Sequence, residues 1–117
     1  MLYYFETAMP EGWIFWEPHT HMSTYKIETI DSVAETVRNL KADGKRVVFT
    51  NGCFDILHKG HVELFRAARK YGDVLVVAIN SDGSVRRLKG PGRPIFDQSE
   101  RAEILNAMEP VNFVCVF

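Results

Sequence analysis

The sequence has few cysteines and no long apolar run, and each absence excludes a class of protein. Its two cysteines, Cys53 and Cys115, are too few for a disulfide scaffold and too far apart for a C-x-x-C metal or redox site. The longest clean apolar run, Val74–Ile79, is six residues long, whereas a helix that crosses a bilayer needs roughly 20. The amino terminus lacks the basic region and apolar stretch of a signal peptide. We therefore expect a cytoplasmic protein that does not interact with a membrane.

An excess of charge of one sign is also missing. The 14 lysines and arginines nearly balance the 15 aspartates and glutamates, which leaves a net charge of −1. Such a chain has no overall basic field that would attract nucleic acid, so any anion must be bound locally. A hydrophobic content of 46% over 117 residues is typical of one soluble globular domain with one core.

The first 24 residues differ from the rest. Two aromatic runs, Leu2 to Phe5 and Trp13 to Trp16, flank a segment with proline and glycine that is typical of a turn. Two interpretations stay open: an aromatic β-hairpin, or a segment that is not native, because Met22 could itself be a start codon. We therefore divide the chain into an extension at residues 1–24 and a domain at residues 25–117.

Three apolar runs predict β-strands. Residues 46–50 have the length and composition of a strand buried on both faces, and residues 74–79 and 111–117 predict two more strands. Helical patterns separate these runs, so the strands should be parallel and joined by right-handed crossovers. The predicted fold is a Rossmann-like α/β domain, in which helices flank a parallel sheet.

Helix signals lie between and before these strands. Ser32, in a capping box with Glu35, predicts the start of a helix that ends at Gly44. A second helix is predicted to begin near His61, and a third after the capping residue Asp97.

A loop with two glycines, residues 50–61, follows the first predicted strand. Ligands of open parallel sheets bind beyond the carboxyl ends of the strands, where this loop lies. Gly52 and Gly60 permit a close approach of the ligand. The helix that opens near His61 presents unpaired N–H groups and the positive end of its dipole. The loop therefore predicts an anion site, although it matches neither the P-loop nor the dinucleotide-binding pattern.

The loop contains an H-x-G-H motif with a characteristic context. The segment Thr50-Asn51-Gly52-Cys53-Phe54-Asp55, followed by His58-Lys59-Gly60-His61, resembles the cytidylyltransferase-like nucleotidyltransferase family. Downstream family patterns are Asn80-Ser81-Asp82, Leu88-Lys89-Gly90, and Arg93-Pro94 before Glu100-Arg101. Together they look most like the adenylyltransferase domain that acts on heptose 1-phosphate in lipopolysaccharide-precursor synthesis. Glycerol-3-phosphate and ethanolamine-phosphate cytidylyltransferases remain alternatives.

The resemblance implies a reaction and a set of residues for it. A phosphorylated small molecule would attack the α-phosphorus of ATP and release pyrophosphate, with CTP as the second candidate nucleotide. Mg²⁺ would accompany the triphosphate. His58, His61 and Lys89 would bind phosphate oxygens and stabilise the transition state. Nucleotide contacts are expected from Thr50, Asn51, Gly52, Cys53, Phe54, Asp55, Gly60, Asn80, Asp82, Arg93 and Arg101. Asp55 would also brace the loop, Lys89 and Arg93 would lie on one mobile cationic loop, and no residue is expected to bind a metal directly.

Measured against the family pattern, the chain stops early. The family continues after the third strand with two more strands and a Ser/Thr-rich motif, so only strands 3-2-1 of the order 3-2-1-4-5 are encoded. The first predicted strand would then have an open edge, which favours pairing with another strand. We expect the aromatic extension, a second copy of the chain in a homodimer, or another chain to cover it. Two functions stay open: a working nucleotidyltransferase, and a nucleotide-binding fragment or pseudoenzyme without turnover.

Overall fold

The computed structural model describes residues 27–117, which form a parallel sheet flanked by helices. The strands are β1 (Ile27–Thr29), β2 (Val47–Gly52), β3 (Val74–Ile79) and β4 (Phe113–Val116). The helices are α1 (Ile30–Ala42), α2 (Lys59–Arg69), α3 (Asp82–Lys89) and α4 (Gln98–Asn106). The strands lie in the order β1-β4-β3-β2, so the predicted Rossmann-like sheet and its 3-2-1 order are confirmed for β4, β3 and β2. The predicted aromatic hairpin lies outside the described residues.

Strand β3 is the centre of the fold. All six of its residues are buried, and alternate side chains point to opposite faces of the sheet. Leu75, Val77 and Ile79 pack in the core with residues of α2 and α4, whereas Val76 and its neighbours on the other face pack with Val33 of α1. No helix in residues 27–117 has the length and apolar character needed to cross a membrane.

Strand β1 was not predicted from the sequence. It is three residues long and pairs with β4 in parallel, with Glu28 opposite Cys115 and Thr29 opposite Val116. A segment this short has no measurable alternation of apolar and polar residues. Its extended conformation depends on pairing with β4, which joins residues far apart in the sequence.

The prediction that the strand at residues 46–50 is buried on both faces is wrong. Within residues 27–117, β2 pairs only with β3, from Val47 opposite Val74 to Gly52 opposite Ile79. Its burial alternates along the strand, and Phe49 is 58% exposed. The apolar composition of the segment identified a strand, but composition does not distinguish a central strand from an edge strand.

The helix boundaries agree with the predictions except at the start of α1. Thr29, rather than Ser32, caps this helix, since its Oγ1 accepts from the Ser32 N–H at 3.2 Å. The Ser32 hydroxyl instead donates to Glu28 at 3.0 Å. As predicted, α1 ends before Gly44, which has a φ of +80°, and Asp97 caps α4.

Helix α3 was not predicted, and it changes the position of Lys89. Ser81 caps α3 and accepts from the Ser84 N–H at 3.3 Å. Lys89 is the last residue of α3 and so does not share a loop with Arg93, which lies between α3 and α4. With eight residues, of which only Val85 is buried, α3 is too short to show a helical apolar pattern in the sequence.

Candidate functional site

Three segments meet at the carboxyl end of the sheet. They are the loop after β2, the end of β3 with the start of α3, and the loop between α3 and α4. Hydrogen bonds from two arginines join these segments, which are far apart in the sequence. The loop at residues 50–61 lies at this end of the sheet, as the sequence predicted. Ligands of open parallel sheets bind at this end.

Two histidines cap the start of α2, and we call this arrangement the histidine cap. Nδ1 of His58 accepts from the Gly60 N–H at 3.0 Å, and Nδ1 of His61 accepts from the His58 N–H at 3.2 Å. The ring centroids are 4.0 Å apart. The two hydrogen bonds form a reciprocal capping box, with imidazoles in place of the usual hydroxyl and carboxylate.

The histidine cap determines which nitrogen of each ring carries a proton. An imidazole nitrogen that accepts a hydrogen bond is unprotonated, so the proton of the neutral ring is on Nε2. Burial lowers the pKa of His61, and the neighbouring His58 lowers it further. The cap therefore supplies Nε2–H donors at the positive end of the α2 dipole, where an anion is favoured.

Phe54 packs between the histidine cap and the core. Its ring is buried and packs edge-on against His61, with centroids 5.5 Å apart, and against Phe65, at 5.3 Å. Its φ of +46° is in the left-handed region, which is unfavourable for a bulky residue and is held here by packing. A Cβ at Gly52 would lie 3.0 Å from Cζ of Phe54, so glycine leaves room for this ring. The ring of Phe54 is therefore part of the core.

Asp55 braces the loop, as predicted, although its partners are not histidines. The buried carboxylate accepts from Nε of Arg93, from the Ile95 N–H at 2.8 Å and from the Phe96 N–H at 3.3 Å. Burial by itself raises the pKa of Asp55, but the hydrogen bonds from Arg93, Phe96 and Ile95 outweigh it and hold the pKa below its ordinary value. Asp55 is thus an ionised link between the loop after β2 and the loop before α4.

Arg101 is fully buried beneath the three segments. Its Nε donates to the Phe96 carbonyl at 2.9 Å, and its Nη1 donates to the carbonyls of Cys53, at 2.7 Å, and Asn80, at 2.8 Å. Nη2 donates to Oδ1 of Asp82 at 2.8 Å. The sequence indicated a nucleotide contact here, whereas the structure engages all three guanidinium nitrogens within the protein.

The remaining predicted residues lie around this network. Thr50 and Asn51 are at the end of β2, and the Asn80 side chain donates to the Ser84 hydroxyl at 2.9 Å. The exposed Lys89 is not part of the hydrogen-bonded network that joins these loops within residues 27–117. The sequence did not indicate a role for Gln98, whose Oε1 accepts from the Asp82 N–H at 3.0 Å. No local motif distinguishes such a glutamine.

Neither cysteine takes part in a disulfide. Cys53 contributes its carbonyl to Arg101, and the thiol of Cys115 is buried in the sheet, where burial raises its pKa and the nearby Glu28 adds to the effect. Among residues 27–117, no group of three or more His, Cys, Asp and Glu side chains could hold a metal ion.

Comparison with known proteins gives the chain a family. A sequence model of the family described as cytidylyltransferase-like matches residues 49–117, which include the histidine cap, Asp55 and Arg101. The chain belongs to this cytidylyltransferase-like family. The family predicted from the H-x-G-H loop is therefore confirmed.

The curated relatives of this cytidylyltransferase-like chain include several proteins named bifunctional protein HldE. The one from Geotalea uraniireducens is 54% identical over 100 residues, which are 85% of this chain and 20% of the relative. The one from Aliarcobacter butzleri is 44% identical over 116 residues, which are 99% of this chain and 22% of the relative. The chain thus spans about a fifth of the length of the curated relatives it matches.

A solved structure supports the cytidylyltransferase-like fold. It is a crystal structure of the lipopolysaccharide core biosynthesis protein from Thermoplasma volcanium, which is 33% identical to this chain. The match has a TM-score of 0.58 and covers 63% of this chain and 59% of that one.

Proposed function

We propose that this chain transfers a nucleotidyl group from ATP to a phosphorylated sugar such as heptose 1-phosphate and releases pyrophosphate. CTP is the second candidate donor. The observation that carries the proposal is the histidine cap, which presents two imidazoles at a helix N-terminus beyond the end of β2. The match to a lipopolysaccharide core biosynthesis protein favours a sugar phosphate over glycerol 3-phosphate or ethanolamine phosphate as the acceptor.

The proposed reaction is an in-line displacement at the α-phosphorus. An oxygen of the acceptor phosphate forms a new P–O bond while the bond to the bridging oxygen breaks, and the bond's electron pair leaves with pyrophosphate. Negative charge is redistributed over the phosphoryl oxygens and the leaving group at the transition state. Nε2–H of His58 and of His61 would donate to these oxygens from fixed positions, which stabilises that charge without reorganisation.

Mg²⁺ would enter with the nucleotide rather than occupy a protein site. Residues 27–117 provide no cluster of three or more side chains for a metal, and Mg²⁺ in nucleotide sites is held mainly by substrate phosphates and water, with one or two carboxylates. Bound in that way, it would neutralise part of the phosphate charge. The chain's own contribution would be to place the attacking oxygen of the acceptor phosphate in line with the bond that breaks, and to donate hydrogen bonds.

The test combines turnover with binding. Release of pyrophosphate would be measured from ATP and CTP with heptose 1-phosphate, glycerol 3-phosphate and ethanolamine phosphate, and nucleotide binding by calorimetry. His61→Ala removes one donor and should lower the rate about 10² to 10³-fold. Lys59→Ala is the matched control, because Lys59 occupies the variable position of the motif and its side chain is 89% exposed in a surface pair with Glu63.

The outcomes distinguish the two functions. Release of pyrophosphate that depends on heptose 1-phosphate and His61 supports the proposed transferase. Binding of ATP without turnover with any acceptor selects the alternative, a nucleotide-binding fragment or pseudoenzyme. If neither ATP nor CTP binds, both functions are refuted.

A further inference from the structure

Asp55 and Arg93 form an ion pair in which the two partners differ in exposure. The Asp55 side chain is only 1% exposed, whereas the Arg93 side chain is 35% exposed. The hydrogen bond between them uses Nε of Arg93. The guanidinium is therefore anchored at one edge on the protein side, while part of the side chain reaches solvent.

A guanidinium that is bound through Nε keeps its two terminal nitrogens, Nη1 and Nη2, for other hydrogen bonds. Nη1 and Nη2 carry four of its five N–H donors in a planar fork, which matches the geometry of a phosphate. Within residues 27–117, the hydrogen bonds of Arg93 involve its backbone N–H and its Nε, and none involves Nη1 or Nη2. In the described part of the chain the Nη fork is therefore available to a ligand, and the bond to Asp55 restricts its orientation.

Asp55 also sets where this fork lies. Its other oxygen accepts from the N–H groups of Ile95 and Phe96, which holds the segment after Arg93 against the loop after β2. Asp55 is only three residues before His58, the first residue of the histidine cap. One carboxylate thus connects the loop of Arg93 to the loop that ends in the two imidazole donors.

The side-chain chemistry favours a role beyond bracing the backbone. An asparagine at position 55 could accept from the N–H groups of Ile95 and Phe96 through its single oxygen. It would then direct its NH₂ group, a donor, at the Nε–H of Arg93. Only a carboxylate accepts from all three groups at once, so the charge on Asp55 is needed for the contact with Arg93.

We propose that Asp55 is a positioning residue, which holds Nε of Arg93 so that the Nη fork binds a phosphate group of a substrate beside the histidine cap. This inference rests on the proposed function and extends it to a second, cationic phosphate contact. The phosphate belongs either to the nucleotide or to the acceptor, and the experiment separates these two sources.

The test uses the full chain and four variants: Asp55→Asn, Arg93→Ala, Arg93→Lys and the double variant Asp55→Asn/Arg93→Ala. Arg38→Ala is the matched control, since Arg38 is an exposed arginine on α1. Binding of ATP, inorganic pyrophosphate and heptose 1-phosphate would each be measured by calorimetry. Binding does not require turnover, so a failure of the proposed transferase activity leaves this test intact.

Arg93→Ala should weaken binding of at least one probe by roughly 10 to 100-fold, because a charge-assisted fork is lost. Arg93→Lys should weaken the same probe by about 10-fold, because an ammonium cannot use Asp55 and a phosphate fork together. A loss confined to ATP and pyrophosphate assigns the contact to the nucleotide. A loss confined to heptose 1-phosphate assigns it to the acceptor.

The double variant tests whether Asp55 acts through Arg93. Asp55→Asn should weaken binding about 5 to 30-fold in the wild-type background and less than about 2-fold in the Arg93→Ala background. Equal losses in both backgrounds would overturn the positioning role. So would unchanged affinities in Arg93→Ala, or a wild-type protein that binds none of the three probes. If Asp55→Asn fails to fold, Arg93→Lys decides, since wild-type affinity in that variant would also overturn the proposal.

Discussion

A Cβ atom at Gly60 would lie 2.8 Å from Cε1 and 2.9 Å from Nδ1 of His58. The imidazole of His58 folds back over this glycine and accepts a hydrogen bond from its N–H. The glycine of the H-x-G-H motif is therefore required by contact with the first histidine. A side chain at position 60 would have to displace the ring that caps α2.

Gly60→Ala should weaken ATP binding while it leaves the stability of the fold nearly unchanged. Alanine has the higher helix propensity, by about 1 kcal/mol, which should largely offset loss of the cap, also about 1 kcal/mol. Displacement of His58 should lower ATP affinity by about 10-fold or more, as measured by calorimetry, while urea unfolding changes little. Gly83→Ala in α3 is the control, because its Cβ would meet only Nη1 of Arg87 at 3.5 Å. Wild-type ATP affinity in Gly60→Ala would contradict the role of this contact.

His58→Asp should keep the cap of α2 and lose the proposed phosphate donor. Aspartate is among the preferred N-cap residues, and its charge near a helix N-terminus contributes about 0.3–1 kcal/mol. Urea unfolding should therefore show wild-type stability or higher. Turnover should fall by more than about 10²-fold, because the carboxylate repels phosphate and supplies no N–H. Near wild-type turnover would mean that His58 acts only as a cap.

Arg101→Met should be among the most destabilising substitutions in the described domain. It leaves the Asp82 carboxylate and the carbonyls of Cys53 and Asn80 without their buried donor. The Asp82 side chain is 27% exposed and water can partly replace its lost partner, so the loss of these donors should cost about 1–3 kcal/mol, which urea unfolding would detect. Arg38→Met, at an exposed position of α1, should change the unfolding free energy by less than about 0.5 kcal/mol. A similar small change in Arg101→Met would show that the network is dispensable.

The stability of the fold should decrease on acidification through the titration of His61. Burial, and secondarily His58, hold the pKa of His61 below the ordinary value of 6.5 in the folded state. Below 6.5 the unfolded chain therefore binds the proton more readily, so stability is fully present above that pH and is lost as pH falls towards the folded pKa. Urea midpoints measured across this range should fall, and His61→Asn should show a weaker dependence. Midpoints that rise on acidification would contradict the lowered pKa.

Much of the fold could be predicted from the sequence because its signals are local. The apolar run of β3 has the same limits in the sequence and the structure, and Asp97 caps α4 through the Glu100 N–H at 2.8 Å. The short β1 and α3 were missed, since neither segment is long enough to show a periodic pattern. The exposure of Phe49 on β2 was missed because it depends on which elements pack against that face of the sheet.

For the candidate site, the sequence by itself determined the H-x-G-H loop and its place after a parallel strand. The reason is that glycine spacing, a helix start and a strand end are all properties of neighbouring residues. Only the tertiary structure decided that Arg101 is buried and that Asp55 pairs with Arg93. These contacts join residues 48 and 38 positions apart, and local sequence patterns carry no information about pairs that meet only when the sheet has formed.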